Sequence, residues 1–409
     1  MSCRKNSQAW LRRMLRMVMV ALLLPLAVSG CSTPHRLAAV PESVTAKADP
    51  GLGPIRFLVM SDVKSFADEA VRASEKEKAW LASNGHTGPL PPVNFLAISG
   101  GGDNGAFGAG LLNGWTQAGT RPEFKGVTGV STGALIAPFA FLGPKYDGVL
   151  KTVYTTISKD DIFKARGPLK GFFGDAMADS TPMLQLVRKY ANRALLDEIA
   201  IEYGKGRLLL VGTTNLDALE PVIWNMTAIA ASKDPRALDL FQRILVASAS
   251  IPGAFPPVMI DVTVDGTKYQ EMHVDGGTMS QVFLYPPSLD FQSLSAQQGG
   301  ERKRTLYIIR NARLDPDWAD VHRKTLSIAA RAIASLTMTQ GVGDLYRIYL
   351  TAQRDGIDFN LASIPPTFDV PHPGEFDTNY MQQLYATGEQ LGASGYAWQK
   401  GPPGYLPKR

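Results

Sequence analysis

The chain has 409 residues, 42 Lys and Arg against 37 Asp and Glu, and a formal net charge of +5. Five of the cations (Arg4, Lys5, Arg12, Arg13 and Arg16) fall in the first 16 residues, which hold no acid; without them the balance is 37 against 37, and the charge makes no case for a nucleic-acid partner. The two cysteines, Cys3 and Cys31, cannot build a disulfide or a thiolate metal site if the N-terminal segment is removed, and His35, His86, His273, His322 and His372 lack metal-ligand spacing, so neither metal nor cofactor is expected.

The basic start leads into an apolar run, Met17 to Val28, and then Ser29-Gly30-Cys31. The run is shorter than the ~20 residues of a membrane span and reads as a secretory signal, residues 1–30. Val28-Ser29-Gly30-Cys31 resembles a bacterial lipobox. That resemblance implies cleavage before Cys31, lipidation of its sulfur and a membrane anchor. Ser32, where an Asp would hold a protein at the inner membrane, implies a place in the cell envelope at the outer membrane, facing the periplasm.

Residues 31–92 are expected to form a tether and an N-terminal helical extension. The tether is 32–53, rich in Ser, Thr, Pro and Ala. Ser65-Phe66-Ala67-Asp68 has the form of a capping box, predicting a helix that runs through Trp80 and Leu81 and stops near Asn84-Gly85. Gly88-Pro89-Leu90-Pro91-Pro92 is a break, after which the main domain begins. Val93–Ile98 reads as a buried strand, and Ala106–Trp115 as a helix whose Gly108, Ala109 and Gly110 let it lie close on that strand. Phe124–Thr128 is a second strand, leading into Gly129-Val130-Ser131-Thr132-Gly133 and the apolar helical run Ala134–Ala137.

Residues 145–200, with Gly171-Phe172-Phe173-Gly174, are either a cap beside the site or an ordinary surface insertion. Further strands are expected at 207–213, 221–225, 268–274 and 305–310, and helices at 183–200, 236–249 and 325–353. Such alternation predicts an α/β fold with a largely parallel central sheet flanked by helices. Residues 311–409 read as a C-terminal helical extension and a flexible tail, rich in Pro and Gly from 356 onward and ending in Gly401-Pro402-Pro403-Gly404.

Three segments carry chemistry. Ser131 lies in a Gly-x-Ser-x-Gly between strand and helix, the setting of a nucleophile elbow. Upstream, Gly100-Gly101-Gly102-Asp103-Asn104-Gly105 follows a strand. Its Gly100-x-Gly102-x-x-Gly105 also fits a dinucleotide fingerprint, but the acid at the required spacing, Glu123, precedes the next strand instead of ending it. The better use of the loop is an oxyanion hole, with backbone N–H groups of Gly100, Gly101 and Gly102, joined by that of Thr132, turned toward one point. Downstream, Asp275-Gly276-Gly277 ends a strand at a sharp turn, where catalytic side chains gather in α/β sheets. Asp275 is better placed as the base for Ser131 than His322 or His372, and His273, on the same strand face as Asp275, reads as structural. A free carboxylate is a weak base at neutral pH, so Asp275 is expected to be buried near Ser131 with its pKa raised.

These three motifs, in this order, resemble bacterial patatin-like phospholipases, as do Thr213–Asp217 and Ala247–Pro257. The resemblance covers roughly 93–310 and implies a three-layer fold and a lipid acyl hydrolase of the phospholipase A or lysophospholipase type. Ser131 and Asp275 would form a dyad, Gly105, Gly129, Gly133, Gly276 and Gly277 would be the remaining motif glycines, and a phospholipid or other fatty ester would be the substrate. An acyltransferase with the same dyad, and a non-enzymatic lipoprotein on a hydrolase fold, stay open. One departure is clear: many members carry a basic residue where this chain has Asn104, next to Asp103.

Overall fold

The computed structural model describes residues 35–167, 174–297 and 302–405. The signal, the lipobox with Cys31 and the Gly171-Phe172-Phe173 run lie outside the described residues.

Nine strands make the main sheet: β1 (Arg56–Leu58), β2 (Val93–Ile98), β3 (Gly126–Val130), β6 (Leu208–Asn215), β7 (Glu220–Asn225), β8 (Val258–Val264), β9 (Thr267–Asp275), β10 (Arg304–Arg310) and β11 (Ile357–Ser363). A short hairpin, β4 (Lys164–Ala165) with β5 (Ala178–Asp179), stands apart. Strands β6, β3, β2, β10 and β11 are parallel neighbours, β7 and β1 add antiparallel at one side, and the β8–β9 hairpin joins through β9. The largely parallel α/β sheet expected from the alternation is therefore present.

Side chains two apart along a strand share a face, and that period sorts the core into two layers. Leu96, Ile98 and Ile309 pack with Phe107, Leu111 and Trp115 of the Gly105–Gln117 helix. Ala97, Leu306 and Ile308 pack with Phe66 of the Val63–Ser83 helix and with Leu345, Ile348 and Tyr349 of the Thr325–Arg354 helix.

Register puts the three motifs at one edge. Ile98 pairs with Gly129, and Val130 with Gly212. One residue on, β9 takes over the flank of β6 that β3 has left, pairing Asp275 with Thr213. The end of β9 therefore meets the end of β3, where Ser131 begins the Thr132–Leu142 helix.

Four expectations change. The first helix starts at Val63, and its N-cap is Asp62, whose carboxylate accepts the Ser65 N–H at 3.1 Å; Ser65 sits inside the first turn. The 183–200 stretch is two helices, Thr181–Tyr190 and Arg193–Gly204, the second capped by Asn192, which accepts from Leu195 N–H. The described part of the tether is docked: Arg36 donates twice to Asp217, and Asp49 bridges to Thr263. The segment after 356 extends the same fold. β11 continues the parallel sheet beside β10, and the Thr378–Ala393 helix lies directly on Gly105–Gln117. A Cβ at Gly110 would stand 2.0 Å from the Tyr385 carbonyl oxygen, and one at Gly388 2.4 Å from that of Phe107. The close approach expected of Gly110 is thus to this helix and not to the strand.

Candidate active site

Ser131 is held at φ 56°, ψ −126°, a backbone state that non-glycine residues adopt only at a cost of about 1–3 kcal/mol. The N–H of Ser131 donates to Ser248 Oγ at 3.0 Å, and Ser248 donates on to the Gly212 carbonyl at 2.7 Å. Gly129 and Gly133 are needed because the turn folds back on itself: a Cβ at Gly129 would stand 2.4 Å from the Gly133 carbonyl oxygen.

The Ser131 hydroxyl is within hydrogen-bonding reach of the Asp275 carboxyl. Asp275 is buried, receives the Gly277 N–H at 2.7 Å, and takes its own N–H to the Ser250 carbonyl at 2.9 Å. Burial pushes its pKa up to about 7, against the opposing pull of the hydrogen bonds from Ser131 and Gly277.

The glycine loop crosses above. Gly100 packs on Ser131, whose Cβ would be 3.2 Å from a Cβ at Gly100. Its N–H, however, donates to the Gln281 carbonyl at 3.0 Å. Gly100 therefore anchors the loop and cannot serve as the oxyanion donor expected of it. Gly102 has φ +57°, and Gly101 passes so close to Asn311 that a Cβ would stand 2.2 Å from its carbonyl oxygen. Among the described residues the N–H groups of Gly101, Gly102 and Thr132 meet no acceptor, and these three are free to bind an oxyanion. Thr132 Oγ1 is fixed by Tyr154 Oη at 2.5 Å, and Gly105 makes room for that pair.

Several supports were not legible as site residues. Asn311 donates to the Ser99 carbonyl and accepts the Gly108 N–H, and Gln281 donates to the Gly277 carbonyl at 2.7 Å, tying the glycine loop to the Asp275 turn. Arg310 is buried with its guanidinium 3.4 Å from the Gly100 carbonyl; burial lowers its pKa to about 10 against the pull of Asp344. Their only sequence signal is position, at the end of a strand or just past the Asp-Gly-Gly turn. Asp103 and Asn104 hold the chain that follows β11: Asp103 takes His372 Nε2 at 2.7 Å and the Phe376 N–H at 2.8 Å, and Asn104 accepts from Tyr380 Oη at 2.6 Å.

Other candidates stand apart. His322 is exposed ahead of the Thr325–Arg354 helix, and His372 touches Asp103. His273 lies in a buried chain: Trp224 Nε1 donates to Thr213 Oγ1, which meets His273 Nδ1, while His273 Nε2 meets Glu271, itself paired with Arg56. Glu123 is exposed at the start of β3, the far end from the glycine loop, so it cannot hold a ribose there. Among the described residues no group of three His, Cys, Asp or Glu could hold a metal ion. Described parts of 145–200 pack on the segment after Ser250: the Ala178 N–H donates to the Ala254 carbonyl, and Phe163 meets Phe255 edge-on.

No curated protein matches the chain. Among solved structures it is similar to VipD from Legionella pneumophila (11% identity, 74% of this chain and 67% of that one, TM-score 0.35). It is also similar to human GIVD cytosolic phospholipase A2 (10% identity, 76% and 54%, TM-score 0.32) and to the type III effector protein ExoU (13% identity, 75% and 53%, TM-score 0.29). The chain thus spans little more than half the length of the last two. The family model for patatin-like phospholipase matches residues 96–286, a stretch that contains all three motifs.

Proposed function

We propose that the chain is a lipid acyl hydrolase, of the phospholipase A or lysophospholipase type, working through Ser131 and Asp275. The observation that carries this reading is the Ser131 hydroxyl in reach of a buried carboxyl whose pKa lies at about 7. At neutral pH about half of such carboxyls are ionised, and each is a far stronger base than a solvated aspartate. Ser131 Oγ attacks the ester carbonyl carbon as its proton passes to Asp275. The oxyanion lies toward the N–H groups of Gly101, Gly102 and Thr132. The ester C–O bond then breaks, and the proton returns from Asp275 to the departing alcohol oxygen. Water, losing a proton to Asp275, attacks the acyl-enzyme; the acyl–Oγ bond breaks, Asp275 returns the proton to Ser131 Oγ, and the fatty acid leaves. Lipidation at Cys31 would hold the protein on the outer membrane, facing the periplasm and close to acyl substrate.

A fluorophosphonate probe and mass analysis of products from phospholipid vesicles test this. The expected result is labelling and fatty-acid release by the wild type and neither by Ser131→Ala. Labelling that persists in Ser131→Ala, or transfer of the acyl group to an added alcohol with no free acid, overturns the reading.

A further inference from the structure

The second core layer leaves a cavity of about 110 Å³ at the end of the sheet where β2, β3 and β6 begin, the end away from Ser131. It lies between those strands, the Val63–Ser83 helix and the Phe291–Gln297 helix. Small residues make the room. Gly126 has no side chain, and Ala70, Ala73 and Ser74 line the cavity from the helix. Phe66, Phe95, Leu208, Leu210, Phe291 and Leu294 make its walls apolar.

The charge gathers at the sheet edge and has one sign. Lys125, just before β3, and Arg302 and Arg304, at the start of β10, line the cavity, and no carboxylate does. Glu77 takes Arg302 through two hydrogen bonds, 2.7 and 3.0 Å long, and Lys125 at 2.9 Å. One negative charge is thus shared between two positive ones. Arg207, a further cation nearby, is taken up by Glu202, by Glu123 and by the Phe124 and Phe141 carbonyls. Lys125 is left short. Its ammonium is buried, has three donors, and among the described residues meets no acceptor besides Glu77. Burial pushes its pKa down to about 8, because the pull of Glu77 does not offset the lost water.

An apolar slot with under-compensated cations at one end is complementary to a single-chain amphiphile with an anionic head. From Lys125 to Thr128 the strand advances ~10 Å, the length of a medium acyl chain. Ser131 lies ~20 Å from Lys125 along the same strand. An ester chain held at Ser131 would bring only its methyl end here, and cations offer nothing to a methyl group. We propose that this cavity is a second lipid site, separate from Ser131, which binds a free fatty acid with its carboxylate on Lys125 and Arg302 and its chain between the Val63–Ser83 helix and the sheet. A lipid hydrolase would meet its own product there, but the binding itself does not depend on that reading.

The test uses the full chain carrying Ser131→Ala and a decanoate with a diazirine on its chain. Equilibrium dialysis below the micelle concentration is expected to show one saturable site. Irradiation is expected to label peptides that hold residues 66–74 and 284–294. Lys125→Gln, which removes the charge, and Ala70→Phe, which fills the cavity, are each expected to weaken binding about tenfold or more. Decanol, which has the chain without the charge, is expected to compete about tenfold less well. Labelling confined to 100–105 and 275–281 overturns the proposal, since it assigns the fatty acid to the Ser131 site. So does uptake that never saturates, or an alcohol that competes as well as the acid. So does an Ala70→Phe chain that melts with the wild type and still binds fully. Ester hydrolysis by the wild type is measured alongside. Fatty-acid binding at the mapped peptides in a chain without hydrolysis removes the hydrolase reading and keeps this site; hydrolysis without such binding does the reverse.

Discussion

Strand β9 carries two buried carboxyls on one face, Glu271 and Asp275, four residues apart, and their environments differ. Burial alone would raise the pKa of Glu271, but the hydrogen bond from His273 and the charge of Arg56 outweigh it and hold the carboxyl below its usual range. Asp275 has no such cation. Burial wins, and the carboxyl is pushed up to about 7. The same strand thus presents one carboxylate kept ionised to join elements and one kept ready to take a proton. What separates them is the His273 hydrogen bond and the Arg56 charge beside Glu271, since both carboxyls are buried.

The largest expected effect is at the uncompensated end. Asp275→Asn keeps the shape and the Gly277 hydrogen bond but cannot accept a proton, so ester hydrolysis should fall by about 10³-fold or more. A variant within a few-fold of wild type would remove Asp275 as the base. At the compensated end the loss falls on stability. Glu271→Gln leaves the buried Arg56 without its counter-charge, which costs about 3–5 kcal/mol. Denaturant midpoints should drop accordingly, while activity per folded molecule at low temperature survives. If Glu271→Gln instead abolished activity with unchanged stability, the division between the two ends would fail.

pH sharpens the contrast. The folded pKa of Asp275 lies above its unfolded value, so the folded state binds its proton more tightly. Stability conferred by that proton is complete below about pH 4 and is lost as pH rises toward about 7. Asp275→Asn removes this loss, so its stability relative to wild type should rise between pH 5 and pH 8, by roughly 2–3 kcal/mol. Over the same range kcat/KM of the wild type should climb with a midpoint near 7, because only the ionised carboxyl can act as base. A stability difference flat in pH, or a rate midpoint near 4, would place Asp275 in water.

The sequence was most legible where one local rule decides. Val93–Ile98 is bounded by Pro-Pro and by glycines, and its strand has those limits. The elbow at Ser131 follows from Gly129 and Gly133. Residues after 356 were least legible. In β11 the polar Asp358 and Asn360 interrupt the apolar pattern, because Lys400 and a β10 carbonyl satisfy them from distant chain. The Thr378–Ala393 helix buries Gly388 and Gly392 where large apolar residues would announce a core face. Its contact is backbone to backbone, which hydrophobic periodicity does not register. The capture of the Gly100 N–H by Gln281 is likewise a long-range event, invisible in a Gly-Gly-Gly run.

Arg310 gives the smallest effect and the finest test of the contrast. Its buried guanidinium faces the Gly100 carbonyl and Asp344. If the two carboxyl ends differ because cations are kept away from Asp275, then Arg310 serves to position the loop and does not tune the base. Arg310→Met should lower kcat about three- to tenfold, as Gly100 loosens over Ser131 and the Gly101 and Gly102 donors lose their alignment. The midpoint of the pH–rate curve should stay near 7. A midpoint displaced upward by half a unit or more would mean that the Arg310 charge reaches Asp275, so that the carboxyl at this end of β9 is also held by a cation, only a more distant one.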